Sequence, residues 1–174
     1  MKSPLVMLTL AAAAILATFA LAPSGRSSSS AQQSGFLMLP PAAPAGQMTL
    51  YGHIKALSRV GGRFEMRFDP AWFTSGLTAS RAALADTGSS EVPNDNYVIE
   101  EVHRLLTYIV PATARITVLT NNGSGISATP IKLAELVRIV NGGPHRKLFE
   151  PLRSGVWIRV RIDTVREVDQ QYHP

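Results

Sequence analysis

The stretch from Met48 to Trp72, MTLYGHIKALSRVGGRFEMRFDPAW, constrains the fold more than any other part of the chain. Met48, Leu50, Gly52, Ile54 and Ala56 fall on one face, and Thr49, Tyr51, His53 and Lys55 on the other. This period of two marks a half-buried strand. Gly61-Gly62 tolerates the positive φ of a tight turn, which predicts a hairpin. The return strand alternates Phe64, Met66 and Phe68 inward with Arg63, Glu65 and Arg67 outward. A chain that begins with such a hairpin must cover or close the sheet it starts, because an open apolar face and bare edges invite aggregation.

Asp69-Pro70 reads as the end of the return strand, with Asp69 as a helix N-cap and Pro70 in the first turn. A helix is expected through Trp72 and then Thr74 to Asp86, on the spacing of Leu77, Arg81 and Leu84, with Gly88 as its stop. Strands are predicted at Tyr97 to Glu101, Arg104 to Val110, Arg115 to Thr120, Val156 to Ile162 and Val165 to Tyr172. Asn121 to Gly125 is turn composition. Thr129 as N-cap and Pro130 as first residue predict a second helix, with Leu133, Leu136, Val137 and Val140 on its packed face. About seven strands and two helices result. The expected class is mainly β with two helices, a small closed or half-closed OB-like barrel. The alternative is an α+β open antiparallel sheet with both helices on one face.

The first forty residues have a different character. Lys2 precedes an uncharged run from Leu5 to Ala22, and the following stretch is rich in Ser, Gln, Pro and Ala. Residues 1–31 are expected to be a signal peptide or an N-terminal membrane anchor, 32–47 a Pro/Ser/Gln-rich linker, and 48–174 a β-rich globular domain. The domain is then extracytoplasmic, secreted or tethered to the cytoplasmic membrane. With no cysteine in the chain, disulfides, thiolate metal sites and a cysteine nucleophile are excluded. The 17 basic residues against 12 acidic ones are spread along the chain and lack the dense aromatic-laced stripe of a nucleic-acid surface. Nucleic acid is therefore not an expected partner.

Catalytic and metal motifs are sparse. His53, His103, His145 and His173 show no metal-ligand spacing, so no metal or cofactor is expected. No Gly-x-Ser-x-Gly or glycine-rich phosphate loop occurs. Asp69, Asn94 and Asp95 have capping and turn chemistry, and they bracket the first helix with Trp72 and Tyr97. Tyr51 and Trp157 fall on the outward faces of their strands, where aromatics lie under a helix or line a groove. The ligand-binding candidates are therefore Tyr51, Asp69, Trp72, Asn94, Asp95, Tyr97 and Trp157. A non-catalytic binding or interaction domain is the expected function. The rival is a small extracytoplasmic hydrolase, which would need a deep pocket joining His53 or His103 to a carboxylate and a hydroxyl.

Three segments carry a resemblance. Phe68-Asp69-Pro70-Ala71-Trp72 with Gly76 and Ala79, Val92 to Tyr97, and Val156-Trp157-Ile158 with Gln171-Tyr172 together resemble a family of uncharacterised small exported proteins of Gram-positive bacteria. The frequent use of Ala, Arg and Pro fits an actinobacterial source. The similarity spans roughly Tyr51 to Pro174. Where members carry two adjacent tyrosines after Asn-Asp, this chain has Asn96 and then Tyr97. The resemblance implies export and a small β-rich domain, and it implies no activity; the expected partner, an unknown ligand or protein of the cell envelope, follows from the expected export alone.

Overall fold

A computed structural model describes residues 40–100 and 104–173. The expected export segment and half of the linker lie outside these residues, as does His103. The hairpin forms as read. Strand β1 (Met48–Val60) pairs antiparallel with β2 (Arg63–Ser75) around Gly61-Gly62. Strand β3 (Asn96–Ile99) joins the far end of β2, and β4 (Leu106–Val110) joins its near end. Strands β5 (Arg115–Asn121) and β6 (Ile126–Pro130) form a second hairpin. Strand β7 (Val156–Arg161) pairs with β1 and with β8 (Thr164–Gln170).

Five strands close a ring. β1 pairs with β2, β2 with β4, β4 in parallel with β8, β8 with β7, and β7 with β1 again. This order, with one parallel contact, is that of an OB-like barrel, and closure removes the edges that an open sheet would expose. β4 and β5 run on as one direction along β8, interrupted by a turn in which Ala114 N–H donates to the Pro111 carbonyl at 3.0 Å. The barrel is filled by Leu57, Met66, Phe68, Val110, Ile116, Ile158, Val165 and Val168, all buried. Helix α2 (Leu133–Val140) joins this core through Leu133 and Leu136, and Asn141 Nδ2 ties its C-terminal end to the Leu57 carbonyl at 3.0 Å.

Several expectations are corrected. Ala56 does not stay on the inner face, because a bulge at Lys55 shifts the register between Ile54 and Ala56 and turns Leu57 inward instead. Asp69 does not cap a helix. It lies inside β2 opposite His53, bonded to Lys55 at 3.0 Å, and β2 continues across Pro70 to Ser75. Pro70 is tolerated because it sits between the residues that pair with β4, ending at Phe68, and those that pair with β3, starting at Trp72. Helix α1 (Gly76–Thr87) starts later than expected, after Ser75, and buries Ala79 and Ala83 rather than Leu77 and Leu84. Gly88 ends it as anticipated, in the left-handed conformation with its N–H on the Leu84 carbonyl. Thr129 and Pro130 belong to β6, where Thr129 bonds Thr120 across the hairpin, so α2 begins only at Leu133. Ile162, expected as the last residue of a strand, lies outside β7; at φ 55° it occupies the β7–β8 turn and is 83% exposed.

Candidate functional site

The β1–β2 ladder ends where Tyr51 faces Ala71. Beyond that pair the strands part. Met48 to Leu50 continue against β7, while Trp72 to Ser75 continue against β3. The fork between them is a groove of about 340 Å³, lined by Thr49, Leu50, Tyr51, Pro70, Ala71, Trp72, Phe73 and Trp157. Residues of both strand faces meet there because the sheet itself divides.

The groove floor is rigidly built. Tyr51 is 3% exposed although it points away from the barrel interior. Its ring meets Phe73 and Trp157 at centroid separations of 5.1 Å each, and Phe73 meets Trp157 at 5.7 Å. Such tilted and edge-on pairs add directional contacts to plain area burial. The tyrosine hydroxyl donates to the Ser154 carbonyl at 3.2 Å and lies 3.0 Å from His173 Nε2. With its one proton on the carbonyl, the hydroxyl accepts an N–H from His173. Trp157 Nε1 donates to Gln171 Oε1 at 2.6 Å, so the C-terminal tail clamps both aromatics. Gly155 makes this fit possible, since a Cβ at that position would overlap the Tyr51 hydroxyl.

Beside the floor lies a cluster of titratable groups. His53 Nδ1 donates to the Arg153 carbonyl at 2.9 Å, and Nε2 faces Glu100 Oε1 at 2.6 Å. His173 packs near Glu150, whose Oε1 accepts the His173 backbone N–H at 3.3 Å. Burial pushes the Tyr51 phenol well above its ordinary value, helped by the negative charges of Glu100 and Glu150. Burial also raises the Glu150 carboxyl. The same desolvation lowers His173, with His53 adding to the effect. Each shift favours the neutral form. Among the described residues no group of three or more His, Asp or Glu is placed to hold a metal ion.

The sequence candidates separate into three places. Tyr51, Trp72 and Trp157 line the groove together. Trp72 stands at its rim, 60% exposed. Trp157 is covered by rings and the tail rather than by a helix. Asp69 is on β2 beside Lys55. Asn94 and Asp95 form a turn with successive positive φ angles of 61° and 57°, held in part by Asn96 Nδ2 donating to the Asn94 carbonyl. Tyr97 pairs with Thr74 in the β2–β3 ladder and donates its hydroxyl to Asp86 of α1 at 2.6 Å. These residues brace the extension that carries Trp72. Sequence reading missed Phe73, His173 and Gln171 as parts of the site. The Gln171-Tyr172 end was visible only as a motif, and nothing in one strand's alternation reveals that a tail will return over it.

Comparison with known proteins adds no relative: no protein family, no curated protein and no solved structure matches the chain.

Proposed function

We propose that this protein is an exported binding domain that holds its ligand in the groove between the parting ends of β1 and β2. The observation that carries the reading is the pairing of a fixed aromatic floor, Tyr51, Phe73 and Trp157, with a Trp72 ring left 60% exposed at the rim. A large exposed aromatic beside a preformed apolar cleft is the usual make-up of a recognition site. The ligand is one that presents an apolar face to Trp72, and the Leu5–Ala22 run supports seeking it among molecules of the cell envelope. Among the described residues no helix is long and apolar enough to cross a membrane.

The neighbouring His53, Glu100 and Tyr51 supply the imidazole, carboxylate and hydroxyl that a hydrolase would need. Their arrangement favours binding instead. Both His53 nitrogens are engaged, and the Tyr51 hydroxyl is held by two partners and resists ionisation. The chain's two tryptophans both line the groove, so intrinsic fluorescence reports its occupancy. Titration with fractionated envelope extract should shift that emission in the native protein. A shift that persists unchanged in Trp72→Ala would overturn the assignment of the groove.

A further inference from the structure

A second cavity, of about 530 Å³, opens beside the C-terminal end of α2. Its size is in the range of small-ligand pockets, roughly 300–1,000 Å³. Ile54, Ile139, Val140, Leu148 and Leu152 supply an apolar lining, and all five also pack on the barrel core, so the walls are rigid. Cations gather in the same lining: Lys147 and Arg153, with His145 beside them. Among the described residues no ion pair engages Lys147 or Arg153. Their charge is therefore unspent.

Two features could oppose an anion here, and both are muted. The end of α2 presents carbonyl groups, but Asn141, Gly142 and Gly143 N–H groups already donate to the carbonyls of Val137, Ile139 and Arg138. Glu150 also lines the cavity, yet its carboxylate accepts the His173 N–H and its burial disfavours the charged form.

We propose that this cavity binds the anion of a free single-chain fatty acid, with the hydrocarbon chain on Ile54, Ile139, Val140, Leu148 and Leu152 and the carboxylate held by Lys147 and Arg153. Apolar walls reward the chain in proportion to the area removed from water. Two unpaired cations beside them select a carboxylate over a neutral or positive head, since hydrogen bonds to charged groups are the stronger kind. The inference is independent of the groove, which shares no lining residue with this cavity.

The test is calorimetric titration of the protein with laurate, dodecanol and dodecyltrimethylammonium below their micelle concentrations. Laurate should bind saturably at one site, with dodecanol roughly tenfold weaker and the cation weaker still. Lys147→Glu and Arg153→Glu, both surface changes, should each weaken laurate roughly tenfold with an unchanged melting temperature. Trp72→Ala should leave laurate binding as it is. Equal binding of laurate and dodecanol, or full binding by both charge-reversal variants, overturns the proposal. Loss of laurate binding in Trp72→Ala assigns the chain to the groove and overturns it as well. Binding to phosphatidylglycerol vesicles without binding of monomeric laurate would mark a membrane surface instead, and would equally overturn it.

Discussion

Strand β2 passes through two environments, and the contrast between its halves explains most of the molecule. From Arg63 to Asp69 it is a barrel strand. Phe64, Met66 and Phe68 alternate inward, β1 and β4 flank it, and Met66 and Phe68 are fully buried. From Pro70 to Ser75 it is a projection. β3 and α1 support it, and the residue that continues the inward alternation, Trp72, stands in solvent. The same backbone conformation thus supports a closed core in one half and an open groove in the other. The difference lies in where the partner strand goes. β1 leaves β2 at Tyr51, and a groove opens because nothing replaces it.

The barrel half should be the more sensitive to truncation. Phe68→Ala is expected to cost about 3–5 kcal/mol, measured by urea unfolding, a large part of the stability of a domain this size. A cost below 1 kcal/mol would mean that the barrel is not the stable unit.

The junction between the halves depends on Gly155. Gly155→Ala drives a methyl group into the Tyr51 hydroxyl and should cost about 1–3 kcal/mol. Tyr51→Phe removes the hydroxyl that the methyl meets first. In that background the Gly155→Ala cost should shrink, a coupling that a double-mutant cycle reads directly. Additive costs would show that the hydroxyl is not the contact that sets the cost, leaving the ring edge and the backbone at φ 140° as its source.

The tail that closes over Tyr51 gives the stability of this region a pH dependence. His173 is lowered from its ordinary 6.5, so its contribution is present above that value and is lost as pH falls through the folded-state value. Glu150 is raised from its ordinary 4.5, so its contribution is present below that value and is lost as pH rises through the folded-state value. The two slopes oppose each other between these limits. His173→Gln should therefore remove the loss of melting temperature on the acid side, and Glu150→Gln should remove the opposite slope. Profiles identical to the native one in both variants would dissociate the tail from stability.

The barrel was largely legible in the sequence, and the groove only in part. Alternation in Phe64 to Phe68 and in Val156 to Val160 reports burial against one core, and the paired hairpins made closure the economical solution. Asp69-Pro70 misled because its local chemistry suits a helix start, whereas a gap between the β4 and β3 pairings makes the same proline harmless within a strand. The Lys55 bulge was invisible because a bulge is decided by the partner strand. Tyr51 and Trp157 were identified as outward residues, but their burial depends on Phe73, Gln171 and His173, which reach them from distant parts of the chain.

The smallest expected effect on stability tests the central claim best. Because Trp72 is exposed, Trp72→Ala should change unfolding free energy by no more than about 0.5 kcal/mol. Recovery of ligand from envelope extract on the immobilised protein, with melting temperature measured on the same sample, should show binding lost and stability kept. Recovery equal to that of the native protein, or a fall in melting temperature comparable to that of Phe68→Ala, would contradict the account.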